Sequence, residues 1–164
     1  MTGPALEGGI AIERVEASAY TVPTDAPESD GTLRWSSTTL VLVEATAGGE
    51  TGTGYSYTHA GAAALIDDLL AETVRGRDAL SPPAACSAMV RAVRNIGRPG
   101  LAATAIAAVD VALWDLKARL LGLPLCDLLG RVRDSVSVYG SGGFTSYDEA
   151  RLHSQLGDWV EQGI

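Results

Sequence analysis

The side chains with which this 164-residue chain could do chemistry are few and scattered. Its two histidines are His59 and His153. Nucleophilic catalysis of the Ser/His/Asp kind needs an imidazole held beside a nucleophile. His59 stands between a strand-like and a helix-like stretch, the place of a helix-start or surface residue. His153 falls on the polar face of an amphipathic segment. Neither marks such a site. The two cysteines, Cys86 and Cys126, have no metal-ligand spacing and form no disulfide framework. Each sits among apolar neighbours and reads as a buried free thiol. Gly49, Gly52 and Gly54 invite a phosphate-loop reading, but a hairpin precedes them and no helix opens directly after Gly54. Arg91, Arg94 and Arg98 share one helical face and read as a solvated surface. Asp115 and Arg119 are spaced to pair at i, i+4, worth about 0.3–0.5 kcal/mol when exposed.

Composition narrows the classes. Hydrophobic residues make up 46% and charged ones 20%, an ordinary globular balance, and the chain is long enough for a real core. A formal net charge of −8 argues against a nucleic-acid surface. The N-terminus lacks a basic region followed by an apolar run, so no signal peptide is expected. The apolar 101–121 stretch carries four charges, a poor membrane span. No membrane and a cytoplasmic location are the resulting expectations.

The elements that must position any site follow from the pattern of the chain. Residues 1–9 read as a flexible leader. Alternation from Ile12 puts Val15, Ala17, Ala19 and Thr21 on one side of a strand, which Pro23 is expected to end. Thr24 to Arg34, with Pro27 and Asp30-Gly31, reads as a loop. Ser37 to Ala47 is a β-branched central strand, Gly48-Gly49 a turn, and Thr51 to Thr58 a third strand. These three make an antiparallel meander. Leu65, Ile66, Leu69, Leu70 and Val74 then form a helical stripe, and Ser81-Pro82 starts a second helix. Leu101 to Leu121 is apolar almost all round, which predicts a buried helix. After Gly130 come a short strand at Ser135–Gly140, a capping box at Ser146-x-x-Glu149, and a helix with Leu152, Leu156, Trp159 and Val160 on its stripe.

The central segment also carries a resemblance. Ala105-x-Ala-Ala-Val-Asp110-x-Ala-Leu-x-Asp115-Leu-x-Ala-Arg119, followed by Pro124-Leu125-x-x-Leu128-Leu129-Gly130, resembles the signature of the mandelate racemase/muconate lactonizing enzyme family of the enolase superfamily. The resemblance implies an α+β fold: a three-stranded antiparallel meander followed by a helical bundle, then the first βα unit of a (β/α)7β TIM-like barrel. It divides the chain into a leader at 1–9, an N-terminal capping domain at 10–130 and the start of a barrel domain at 131–164. The chain is thus expected to be the first part of a larger enzyme, cut before the second barrel strand.

What the resemblance implies for function follows from that division. The family abstracts a proton α to a carboxylate, and a magnesium ion stabilises the enediolate. The residues that hold Mg2+ and move protons are expected beyond Ile164, so this portion alone should be inactive. Its part would be specificity, through two loops that close over the barrel mouth. Asp25, Arg34 and Trp35 of the Thr24–Trp35 loop would read the substrate tail, as would Tyr55 and Tyr57 of the Gly52–Thr58 segment. Cross-strand packing is the competing reading for the two tyrosines, and core anchoring for Trp35. Tyr139 and Ser141 would stand at the catalytic end of the first barrel strand, with Ser141 donating to the substrate carboxylate. Gly140, Gly142 and Gly143 would let the backbone approach closely. The expected partners are a small carboxylate substrate and further copies in a homo-oligomer. Acid-sugar dehydration is preferred over racemisation, epimerisation or cycloisomerisation. A free-standing, non-catalytic binding domain is the rival from another class.

Overall fold

A computed structural model describes residues 9–164, so the leader expected at 1–9 lies, except for Gly9, outside the described residues. The chain forms two compact units. One takes in the chain up to Thr21 and Thr39–Gly130; the other joins Val22–Thr38 to Arg131–Ile164.

The chain's sheet has three strands in the order β1-β2-β3, with β1 Arg14–Ser29, β2 Arg34–Ala47 and β3 Glu50–Tyr57; the first unit holds all of β3 and the parts of β1 and β2 outside Val22–Thr38. Strand β3 runs antiparallel to β2 with Val43 opposite Gly54 and Ala45 opposite Gly52. Alternation puts Val41, Val43, Ala45 and Ala47 of β2 into the core, together with Val15 of β1. Two helical layers complete it. One starts as α1 Gly61–Leu65, widens into a π turn over Ile66–Leu70 and finishes as α2 Ala71–Val74. The other comprises α3 Pro82–Ala92 and the long α4 Leu101–Leu120, after which the short α5 spans Leu125–Leu128.

Helix α4 packs on β3 with almost nothing between the two backbones. Gly52 and Gly54 face it, and a Cβ at either position would land on the backbone of Ala112 and Leu116, or of Ala108 and Ala112. Gly52 and Gly54 are therefore spacers between a helix and a strand, and Gly49, at φ +82°, belongs to the β2–β3 turn, so the three form no phosphate loop. Not all of α4 is buried, since Leu101, Ala107 and Val111 face solvent. Asp115 does pair with Arg119, at 2.8 Å. The same carboxylate oxygen accepts the Thr53 N–H of β3 at 2.8 Å, a bond the spacing does not foretell. At the opposite edge of the sheet, Asp67 of the π turn accepts the Ala17 N–H of β1 at 3.0 Å.

Several expectations need correction. Pro23 does not end β1, and most of the Thr24–Arg34 loop is strand; only residues 30–33 turn. Strand β1 lies at the sheet edge, where a residue without an N–H costs no ladder bond, so Pro23 and Pro27 are accommodated. The Ser135–Gly140 stretch forms no strand. Among the described residues it has no neighbouring strand, and a strand exists only through its ladder. Arg94 and Arg98 follow the end of α3, so the arginines do not share one helix, although all three are exposed. Cys86 is only half-buried and Cys126 is exposed, where both were expected to be buried. Ser146 does not cap the last helix, α6 Glu149–Gln162; Asp148 does, accepting the Arg151 N–H at 2.8 Å.

Candidate functional site

The second unit holds five of the seven residues expected at a ligand site, Asp25, Arg34, Trp35, Tyr139 and Ser141, on one small scaffold. Its hairpin tip is shaped by Asp30, whose Oδ1 accepts the Thr32 N–H at 2.6 Å, the Leu33 N–H at 2.8 Å and the Thr32 hydroxyl at 2.9 Å. These donors, the Leu33 amide foremost, hold its carboxyl below the usual carboxylate range. On the strands either side of the turn, alternation separates two faces. Thr24, Ala26 and Glu28 are half-buried, whereas Asp25 is exposed between them. Trp35 lies with Glu28, donating its indole N–H to that carboxylate at 2.7 Å. Arg34, the preceding residue, points to the opposite, exposed face with Asp25. Trp35 therefore stands apart from Asp25 and Arg34, with its ring edge-to-face against Phe144 at 5.4 Å between centroids.

Tyr139 and Ser141 project from an extended stretch that lies against α6. Gly140 and Gly142 face that helix, where a Cβ would meet the Trp159 ring and, at Gly142, also Gln155. The Gly143 N–H donates to Gln155 Oε1 at 3.0 Å. The close backbone approach expected of these glycines is thus made to Trp159. Alternation sends Tyr139 and Ser141 the other way, and Tyr139 is 86% exposed. A serine hydroxyl so placed can donate to a carboxylate.

In the first unit, Tyr55 and Tyr57 leave β3 on the face opposite α4, with Thr53, at 59% and 70% exposure. Their β2 partners are Leu42 and Leu40. His59 serves the start of α1 through its Nδ1, which accepts the Gly61 N–H at 3.0 Å. His153 is exposed.

A pair that sequence reasoning did not connect lies between α3 and α4. Cys86 and Asp110 are close enough to influence each other's ionisation, and Asp110 Oδ1 is buried with no hydrogen-bond partner among the described residues. Burial raises the Asp110 carboxyl above its usual range, the neighbouring Cys86 thiol only partly opposing it. Burial and the neighbouring Asp110 charge raise the thiol in turn. The folded state therefore holds the Asp110 proton more tightly than the unfolded chain does. Its contribution favours folding below the unfolded pKa and is lost as pH rises through the folded one. Asp110→Asn is expected to raise the melting temperature at neutral pH. The gain should shrink as pH falls toward about 4, the ordinary carboxylate range. Thermal melts of both proteins across that range check it; a gain independent of pH would contradict it.

The sequence pattern of the family described as "Mandelate racemase / muconate lactonizing enzyme, N-terminal domain" matches residues 15–130. The chain belongs to this family. Its sheet and helices form that N-terminal capping domain. A solved mandelate racemase/muconate lactonizing enzyme-like protein from Rubrobacter xylanophilus is 59% identical, with a TM-score of 0.92 over 94% of this chain and 43% of that one. L-talarate/galactarate dehydratase from Salmonella typhimurium LT2, solved with Mg and L-lyxarohydroxamate, is 31% identical. Its TM-score is 0.88 over all of this chain and 45% of that one. A 3,6-anhydro-alpha-L-galactonate cycloisomerase from Streptomyces coelicolor is 36% identical over 93% of this chain and 44% of its own. The chain thus spans less than half the length of these relatives.

Magnesium is the cofactor of this superfamily's relatives, bound in the S. typhimurium structure. Among the described residues, no three His, Cys, Asp or Glu side chains gather closely enough to hold an ion. The residues present do not fit a magnesium site. Among them, too, no helix is long and apolar enough to cross a membrane.

Proposed function

We propose that this chain is the specificity-bearing N-terminal part of an acid-sugar dehydratase of the family, which removes a proton α to a carboxylate. The observation that carries the reading is the match of the whole chain to L-talarate/galactarate dehydratase, a protein solved with an acid-sugar analogue. The chain's own residues suit such a ligand. The Ser141 hydroxyl is a neutral donor, matched to a carboxylate terminus. Arg34 and Asp25 share an exposed face, one offering guanidinium donors and the other acceptors, a pairing suited to the hydroxyls and distal carboxylate of a sugar acid. On the first unit, Tyr55 and Tyr57 present phenolic donors over apolar rings, the expected second specificity segment. No proton transfer is assigned within residues 9–164. On this reading the metal ligands and proton-transfer groups lie beyond Ile164, and the intact enzyme is a homo-oligomer.

The full-length polypeptide should dehydrate galactarate, L-talarate or L-glucarate in the presence of Mg2+, losing the proton α to the carboxylate and the neighbouring C3 hydroxyl as water, with solvent deuterium entering the 2-keto-3-deoxy product at C3. Failure to exchange or consume any acid sugar would overturn the reading. A cycloisomerase is the second reading, favoured by the S. coelicolor relative. It predicts rearrangement of an anhydro or lactone substrate without loss of water.

A further inference from the structure

We propose that Phe144, Thr145 and Ser146 are positioning residues, clasping the β1–β2 hairpin tip so that Asp25 and Arg34 form a fixed arm at a set distance from Ser141. The ligand half of this inference rests on the acid-sugar reading above. The clasp itself does not.

The contacts are specific and bridge distant sequence. The Thr145 N–H donates to the Ser29 carbonyl at 2.9 Å. The Thr145 hydroxyl lies 3.0 Å from that carbonyl, 3.2 Å from the Asp30 carbonyl and 2.8 Å from the Ser29 hydroxyl. Ser146 donates its hydroxyl to the Pro27 carbonyl at 2.7 Å. The Phe144 ring stands edge-on between Trp35 and Tyr147, 5.4 Å from each, and the Arg151 guanidinium lies 4.3 Å over Tyr147. Because Asp30 spends its carboxylate on the turn's own amides, the Ser29 and Asp30 carbonyls are left to accept from outside. A hairpin tip with no such anchor would fray, as exposed tips do.

Phe144 packs on one face of the hairpin, Thr145 and Ser146 hold the edge of β1 and the Ser29 hydroxyl, and Asp25 and Arg34 stay exposed. Trp35 and Glu28 share the face that Phe144 covers, and Asp25 and Arg34 point to the other. Ser141 sits three residues before Phe144, on a backbone fixed by Gln155 and Trp159. One short run, 141–146, therefore carries the carboxylate donor at one end and the hairpin anchor at the other. That scaffold sets the span between the groups that would read the two ends of a ligand. The arm acts as a ruler for acid-sugar length.

The test uses the full-length polypeptide and the variants Thr145→Val and Phe144→Ala, with Thr145→Ser as the conservative control. Hydrogen exchange of residues 27–35 is read first. Each lost hydrogen bond should speed opening roughly 2- to 10-fold. With galactarate as probe, KM should rise about tenfold while kcat stays within about twofold, the mark of lost binding that is equal in ground and transition states. Preference for galactarate over the five-carbon acid xylarate should fall in parallel, and Thr145→Ser should restore both. Unchanged hairpin exchange would overturn the clasp. Faster exchange with unchanged KM and length preference would overturn the ruler. If the wild-type protein consumes no acid sugar, the proposed function fails and the ruler with it, while exchange alone still decides the clasp.

Discussion

Replacing Gly54 by alanine is expected to cost about 2–3 kcal/mol, near the upper end of overpacking penalties, and to lower the melting temperature by roughly 10 °C. The added methyl would meet the Ala108 carbonyl and the Ala112 amide of α4. Both are backbone atoms in mid-helix, so no rotamer change can make room. Either α4 lifts from β3, taking Ala105, Val109 and Leu116 out of the core, or β3 leaves its register with β2. Gly52→Ala should behave alike, because its Cβ would meet Leu116 and Ala112. The contrast is Gly157→Ala in α6, where the new methyl has open space around it. There the lost backbone freedom of the unfolded chain should stabilise by about 0.5–1 kcal/mol. Denaturant unfolding of the three variants checks both signs. A neutral Gly54→Ala would mean that the helix–strand spacing is not as close as described.

Ser141→Ala, made in the full-length polypeptide, is expected to lower kcat/KM for an acid sugar about 10- to 100-fold, the worth of one hydrogen bond to a charged group. The fold should not suffer. The Ser141 hydroxyl is exposed and has no intramolecular hydrogen bond among the described residues. Its backbone is placed by Gly140 and Gly142 against Trp159, which the substitution leaves alone. Steady-state kinetics together with a thermal melt make the test. An unchanged melt with unchanged kcat/KM would remove Ser141 from the site.

The capping-domain fold was legible because its signals are periodic. The α4 segment, the β-branched β2 and the Gly48–Gly49 turn each state their structure locally, and β3 lies within a residue of its expected bounds. The hairpin tip was not legible. Two prolines and Asp-Gly outweigh strand signals in a short window, and only the edge position of β1 makes them harmless. The clasp was hidden for another reason. Thr145 and Ser146 bond to carbonyls more than a hundred residues away, and carbonyls have no sequence identity to read. Ser146 even offered a local alternative, the capping-box pattern, which Asp148 fulfils instead. Asp110 and Cys86 illustrate a third limit. Helical spacing places each on its own helix, while their meeting depends on how α3 and α4 pack.

The aspartates at the two margins of the sheet bear on how this protein avoids its own kind. A three-stranded sheet ends in two rows of unspent amides and carbonyls, each a template for strand addition from another chain. Here Asp67 occupies the Ala17 amide on one side and Asp115 the Thr53 amide on the other. An incoming strand would have to displace a carboxylate and set its own carbonyl beside that negative charge. Farther along β1, Pro23 and Pro27 offer no amide at all. The same prolines that disguise the strand in the sequence thus complete a barrier against amyloid-like stacking. The prolines act before any helix has packed, and the two carboxylates add to the barrier once the helices reach the sheet.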